Sequence, residues 1–144
     1  MNLVYLVQAA AMMLFGLVAL YIRNVVPIDN VLARSLRYIL IALFIGALIS
    51  AQFVPAFLIA RIDKKMDLEN KISKYFQVVI IRGAFLEVPG LLAGIATLLT
   101  GRSYFTAVVV LLLPAFYFYR PSKERITEEL NLNETERNQL DASE

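Results

Sequence analysis

The sequence contains no cysteine and no histidine, and only 18% of its 144 residues are charged. Without cysteine the chain forms no disulfide framework and no thiolate zinc site, and without histidine it lacks the commonest metal ligand and general base. It also lacks a glycine-rich phosphate loop and a nucleophile with a nearby base. Haem, structural zinc and triad hydrolysis are effectively excluded. We therefore expect no catalytic residues, no metal and no cofactor, and we predict that the protein is not an enzyme.

Apolar residues make up 59% of the chain. Ordinary soluble domains are about 45–50% apolar and about 25% charged, so a mean hydropathy of +0.65 disfavours a water-soluble globule. A membrane core about 30 Å thick needs roughly 20 apolar residues in a helix. The sequence predicts an all-α protein, a four-transmembrane-helix bundle over residues 1–120, with an acidic cytoplasmic tail at 121–144. The expected spans are 3–22, 38–60, 76–100 and 103–119.

Lysine and arginine in the short connections predict the orientation, because cytoplasmic loops carry an excess of both. Eight of them lie between the second and third spans or at the start of the tail, against four on the other side. The eight are Arg61, Lys64, Lys65, Lys71, Lys74, Arg120, Lys123 and Arg125, and the four are Arg23, Arg34, Arg37 and Arg102. We therefore predict an integral membrane protein with both termini in the cytoplasm. Its basic connection at 61–74 is expected to contact anionic lipid head groups and not nucleic acid.

The tail carries two signals that mark the start of a helix. Ser122 occupies an N-cap position, and Asn133 precedes Glu136 by three residues, which is a capping-box pattern. These signals favour two short helices or a docking arm. A partly disordered, solubilising tail is the alternative, because the segment is polar and acidic.

The third span contains two ionisable residues, Arg82 and Glu87. A charge at the centre of a span costs roughly 2.5–3.5 kcal/mol on the insertion scale, so each needs a reason. With Phe76 at the cytoplasmic boundary and a rise of about 1.5 Å per residue, Arg82 lies about 9 Å deep and Glu87 about 16 Å deep. Gln52 of the second span lies about 13 Å deep, and we expect it to be the hydrogen-bond partner of either side chain.

Glu87 belongs to a stripe of small residues along one face of the third span. Gly83, Glu87, Gly90 and Gly94 follow steps of four, three and four residues. Gly90 and Gly94 form the G-x-x-x-G pattern of closely packed membrane helices. The stripe predicts that Glu87 faces another helix, either the second span or another subunit. The second span offers a matching small surface, which consists of Ala42, Gly46 and Ser50.

Prolines occur inside three of the expected spans, at Pro55, Pro89 and Pro114. Each is expected to kink its helix and to free the carbonyl of the residue four positions earlier. The carbonyl that Pro89 frees belongs to Phe85, within one turn of Glu87. A freed carbonyl beside a carboxylate supplies the ingredients of a cation or proton site.

The segment IIRGAFLEVPGLL at 80–92 resembles the carboxylate-bearing helix of rotary ATPase proteolipids. In that family a helix–loop–helix hairpin presents a mid-membrane glutamate, so the resemblance implies that Glu87 matches the ion-carrying position. It covers residues 38–100 and departs from the family at Gly46, which stands alone where proteolipids carry a run of glycines. The whole chain, including RPSKERI at 120–126, is similar to a family of small four-span bacterial membrane proteins. That resemblance implies the bacterial inner membrane and adds no activity.

Two functions follow from these observations. In the first, a small membrane subunit uses Glu87 as a proton or cation binding group, with Gln52 and Arg82 in the same ion-binding set. This subunit is expected to form a homo-oligomer, because four short spans leave little internal volume for a transport pathway. In the second, the protein is a non-catalytic scaffold or accessory subunit of a membrane complex, and the three polar residues fix the register of the bundle.

Overall fold

The computed structural model describes residues 2–22, 30–63 and 65–142, and every regular element in these ranges is helical. The helices are α1 (Asn2–Ile22), α2 (Asn30–Ala60), α3 (Leu68–Thr100), a 3-10 turn (Ser103–Thr106) that leads into α4 (Ala107–Phe118), α5 (Lys123–Glu129) and α6 (Glu134–Ala142). The all-α class is confirmed over the described ranges. Two residues of the orientation argument, Arg23 and Lys64, lie outside them.

Three helices, α1, α2 and α3, are each long and apolar enough to cross a membrane. The segment Ser103–Phe118 reaches that length only when it is joined to α5, toward which the chain bends by 73°. The prolines expected to kink the spans lie inside α2, α3 and α4, and each of these helices continues through its proline. Length and composition therefore support three spans, with a shorter fourth helix beside them.

The ends of the helices follow from local sequence signals. Gly101 ends α3 with φ 66°, and its N–H donates to the Thr97 carbonyl at 2.8 Å; glycine adopts this left-handed conformation without strain. Ser122 caps α5 by accepting the Arg125 N–H at 3.2 Å. Asn133 and Glu136 cap α6 through two reciprocal hydrogen bonds of 3.0 and 2.8 Å. The predicted caps of the tail are confirmed.

The third helix, α3, is the centre of the bundle. Half of its apolar window is buried inside the protein, against 22% of the corresponding windows of α1 and α2. On α2 the buried residues include Leu40, Ala47 and Ala51, which are seven and four positions apart and so share one face. The core continues through residues of α3 and α4 such as Leu86 and Leu112. Because α1, α2 and α4 all pack against α3, this helix positions the other long helices of the bundle and α4.

The glycine stripe of α3 packs against α1 and not against α2, which corrects the partner expected from the sequence. A Cβ added at Gly94 would lie 2.6 Å from the Phe15 ring. Added at Gly83 or Gly90, it would lie still closer to the side chains of Gln8 and Met12. The three glycines therefore let bulky side chains of α1 lie directly against the α3 backbone.

The small surface expected on α2 does not contact α3. Ala42 and Gly46 are exposed and Ser50 is partly exposed, and nothing lies within 4 Å of a Cβ placed at Gly46. The face of α2 that meets α3 is offset from them and carries Ala47 and Ala51. Among the described residues, Gly46 therefore has no close neighbour, and Ala42 lies on the same exposed side of α2.

The two glycine positions allow a matched test of this packing. Gly90→Leu forces a side chain into Met12, which is fully buried, and overpacking of a core typically costs roughly 1–3 kcal/mol. We expect this variant to unfold several degrees below the wild-type protein in detergent. Gly46→Leu makes the same change on the exposed face of α2 and should leave the unfolding temperature unchanged. Equal temperatures for all three proteins would contradict the packing of α1 against the glycine stripe.

Candidate functional site

The tail fills a step at one end of the bundle. The helix α1 has 21 residues, whereas α2 has 31 and α3 has 33, a difference of about 15–18 Å in length. Both α5 and α6 contact α3 at this end, through Glu129 and Glu136, and Ile126, Leu130, Leu132 and Leu140 belong to the buried core. The docking-arm interpretation of the tail therefore agrees with the structure, and the disordered alternative does not.

An ion pair between Arg82 of α3 and Glu129 of α5 holds the tail in this position. Arg82 is 4% exposed, and its Nη2 and Nη1 donate to the two carboxylate oxygens of Glu129 at 3.0 and 3.4 Å. In this bidentate geometry the two charge-assisted hydrogen bonds are parallel, which fixes the orientation of Glu129 relative to Arg82. Loss of one partner from a fully buried pair costs roughly 3–5 kcal/mol, and the 24% exposure of the Glu129 side chain lowers that cost here.

Tyr119, which follows α4, connects this ion pair to α2. Its ring lies 5.6 Å from the guanidinium carbon of Arg82 and 5.6 Å from that of Arg125. Its hydroxyl donates to Gln52 Oε1 at 2.9 Å. Arg125 also donates to the Phe118 carbonyl, and its Nε lies 3.7 Å from Glu129 Oε1. Side chains from α2, α3, α5 and the end of α4 therefore meet in one polar cluster.

A cavity of about 320 Å³ opens beside this cluster, between α2, α3 and α5. Its polar lining consists of Gln52, Arg82, Tyr119, Arg125, Glu129 and Asn131. The apolar part of its wall comes from the end of α2. We call this space the tail cavity.

Four buried polar atoms near Arg82 have no hydrogen-bond partner among the residues that the structure describes. They are Tyr5 Oη, Gln8 Oε1, Tyr75 Oη and Arg82 Nε. Both tyrosines lie within electrostatic reach of Arg82 and Arg125, and Gln8 lies against Gly83, the neighbour of Arg82 in sequence. Tyr75 Oη lies beside the Glu129 carboxylate and misses only the strict hydrogen-bond geometry, so among the described residues the unsatisfied groups at this end of the bundle are those of Tyr5, Gln8 and Arg82.

A second ion pair, between Lys71 and Glu136, fixes α6. Lys71 is buried near the start of α3, and its ammonium donates to the Glu136 carboxylate. This hydrogen bond lowers the pKa of Glu136 below the ordinary glutamate value of 4.5. A carboxyl pKa that is lower in the folded state stabilises the docked tail above the ordinary pKa, and this contribution is lost as the pH falls through the folded-state value.

Glu87 lies apart from the polar cluster. It is partly buried, and no residue that the structure describes forms a hydrogen bond or an ion pair with it. Five residues separate it from Arg82, which corresponds to about 140° of rotation around α3. Of the predicted ion-binding set, the structure brings Gln52 and Arg82 to the tail cavity and leaves Glu87 outside its lining.

The sequence reasoning missed Arg125, Glu129 and Tyr119 as members of the cluster. One signal was available, because Arg125 and Glu129 are four residues apart and therefore adjacent on a helix. No local pattern connects them with Arg82, which is 47 positions from Glu129. Within the described ranges, no group of three or more acidic side chains is placed to hold a metal ion.

Comparison of the chain with protein-family models, with curated proteins and with solved structures finds no match. The likeness to proteolipids and to small four-span bacterial proteins stays an expectation from the sequence.

The role of the Arg82–Glu129 pair is tested by Glu129→Gln, which removes the negative charge and keeps the side-chain size. We expect α5 to detach from α3, because the buried guanidinium then regains hydration only when the tail moves away. Trypsin cleaves at Lys123 and Arg125 within α5, so detachment should speed cleavage there roughly tenfold or more.

Glu128→Gln is the matched control for this experiment. It neutralises the adjacent carboxylate of α5, which is exposed, and it should be digested at the wild-type rate. Identical digestion of Glu129→Gln, Glu128→Gln and the wild-type protein would show that the ion pair does not hold the tail.

Proposed function

We propose that the protein is a four-span integral membrane protein with both termini in the cytoplasm, acting as a non-catalytic scaffold or accessory subunit of a membrane complex. The observation that carries this proposal is the ion pair between Arg82 and Glu129. In this pair the buried guanidinium of Arg82 holds the tail, and Gln52 accepts a hydrogen bond from Tyr119 through Oε1. Two polar groups that a transport site would use are thus engaged in fixing the structure.

Contacts at both ends of the bundle support four spans. Arg102 donates to Asn30 Oδ1 at 2.6 Å, which joins the end of α3 to the start of α2. At the other end the rings of Tyr5 and Phe116 lie 5.2 Å apart, which joins the start of α1 to the end of α4. The 3-10 turn and α4 have four and 12 residues, or about 24 Å of helix, and so run beside most of α1.

The charges of the tail support a water boundary near Arg82. Glu124, Glu128 and Glu134 are exposed on α5 and α6, and exposed carboxylates are costly inside hydrocarbon. With α5 against Arg82, Glu87 lies about 8 Å further into the membrane. Glu124 and Glu128 lie four residues apart on α5 and form a small acidic face, bordered by Lys123 and Arg137, which suits a partner with a basic surface.

A second candidate function remains for Glu87, as a proton or cation binding group in a homo-oligomer. The observation that favours it is that no described residue of the same protomer pairs with this carboxylate. In this candidate function the remaining ligands come from a second copy of the chain. The scaffold role is preferred because the other polar residues of the span are already engaged.

The proposed topology is tested with single cysteines, each of which is unique because the natural chain has none. Leu3→Cys, Tyr104→Cys and Gln139→Cys place thiols at exposed positions at the two ends of the bundle. In sealed vesicles with the outer face exposed, an impermeant maleimide should label Tyr104→Cys alone. Leu3→Cys and Gln139→Cys should react only after the membrane is made permeable. Labelling of these two from opposite sides would contradict an even number of spans.

The proposed function is tested on the assembly extracted in mild detergent from membranes that express the chain. We expect a complex larger than the 16.2 kDa protomer, containing a second protein in fixed ratio. Glu128→Lys should release that protein, because it reverses a charge on the acidic face, whereas Glu87→Gln should retain it. Native mass spectrometry measures both effects.

Two outcomes would contradict the scaffold role. One is a wild-type protein that occurs only as a protomer or a homo-oligomer. The other is carbodiimide labelling of Glu87 that sodium or high pH suppresses, since only a protonated, accessible carboxyl reacts readily. The second result would favour the ion-binding candidate.

A further inference from the structure

The tail cavity carries an excess of positive charge. Two guanidiniums, from Arg82 and Arg125, border it together with the single carboxylate of Glu129. These three groups sum to one positive charge in a half-enclosed space, where electrostatic interactions are stronger than in open water. Such a space favours an anion.

The cavity also offers hydrogen-bond donors that no described residue uses. Glu129 engages Nη1 and Nη2 of Arg82, and Nε of Arg82 is buried away from solvent, so Arg82 contributes charge to the cavity and no free donor. Arg125 uses Nη1 for the Phe118 carbonyl, and Nη2 takes part in no hydrogen bond with the described residues. Gln52 accepts through Oε1, so its amide hydrogens are available, as are those of Asn131 at the far wall.

The shape and position of the cavity narrow the choice of anion. A volume of about 320 Å³ exceeds what a single carboxylate fills, and it lies at the lower end of the size of small-molecule sites. Its free donors come from Gln52 on α2, from Arg125 on α5 and from Asn131 just after α5, so they approach from several directions and suit a tetrahedral oxyanion. Ala56, Ile59 and Ala60 add an apolar wall on α2, which suits the glycerol and acyl carbons beside a lipid phosphate.

The geometry points to a phosphate-binding site in the tail cavity, occupied by a phosphate group that an anionic phospholipid or a soluble phosphate supplies. Arg125 provides the main charge, while Gln52 and Asn131 orient the remaining oxygens. The phosphate binds donors of Arg125, Gln52 and Asn131 and not those of Arg82 that Glu129 accepts, so its binding adds to the ion pair and stabilises the docked tail. This inference goes beyond the scaffold role and stands independently of it.

The experiment measures thermal unfolding of the full chain in detergent micelles and in lipid nanodiscs. A phosphate-free baseline is provided by the same protein in dodecyl maltoside micelles, because phosphatidylcholine itself carries a phosphate. These micelles are compared with micelles and with nanodiscs that contain phosphatidylglycerol, and inorganic phosphate and glycerol phosphate are titrated into the lipid-free micelles. We expect at least one of these phosphates to raise the unfolding temperature of the wild-type protein. Arg125→Gln should weaken the response roughly tenfold in ligand concentration, as expected for loss of one charged hydrogen-bonding group.

Two further variants separate the site from general effects of charge. Arg120→Gln removes an arginine at the same end of the bundle that stacks on Tyr117 and does not line the cavity, so it should respond like the wild-type protein. Ala56→Phe retains every charge and donor and fills the cavity from α2, so it should abolish the response while the trypsin assay shows a docked tail. This second variant remains informative if Arg125→Gln loosens α5.

A response to phosphatidylglycerol alone identifies a lipid phosphate, and a response to inorganic or glycerol phosphate identifies a soluble source; either supports the site. The inference is overturned if the wild-type protein responds to none of the probes. It is equally overturned if Arg120→Gln weakens the response as much as Arg125→Gln, or if Ala56→Phe responds fully.

Discussion

A guanidinium buried at one end of the bundle needs a counter-charge, and the rest of the structure depends on how that need is met. Arg82 donates hydrogen bonds to both carboxylate oxygens of Glu129, so α5 must lie against α3. That position brings Arg125 to Tyr119 and Tyr119 to Gln52, and it places α6 where Lys71 meets Glu136. The folded tail, the tail cavity and the acidic outer face are thus consequences of one ion pair.

The two packed sides of α3 differ in which helix carries the small residues. Toward α1 the helix presents glycines, and Met12 and Phe15 fill the space that the missing side chains leave. Toward α2 the small residues are on the neighbour, at Ala47 and Ala51. Both arrangements bring helix backbones close together, which is what stabilises helix contacts where lipid removes the hydrophobic driving force. Each glycine position therefore matters only on the face where a partner lies.

The sequence predicted best what depends on neighbouring residues. Hydropathy located α1, α2 and α3, and the caps at Ser122 and Asn133 followed from short spacings whose hydrogen bonds close within three residues. The site was predicted in part, because an isolated charge in a span signals a partner without identifying it. Glu129 is distant from Arg82 in sequence. The packing of the glycine stripe against α1 and not α2 depends on how α1, α2 and α4 are arranged around α3, and no local pattern shows that arrangement. The predicted span at 103–119 corresponds to the 3-10 turn and α4, which reach the length of a span only together with α5; an apolar window does not show where the chain bends.

The ion pair also has a consequence for the order in which the protein is made. Arg82 enters the membrane region with α3, but Glu129 is synthesised 47 residues later. During that interval Arg82 lacks its counter-charge, and its long side chain can extend toward solvent. The bundle therefore reaches its final form only when the tail has been translated, and a chain that stops before α5 leaves this arginine without its ion-pair partner.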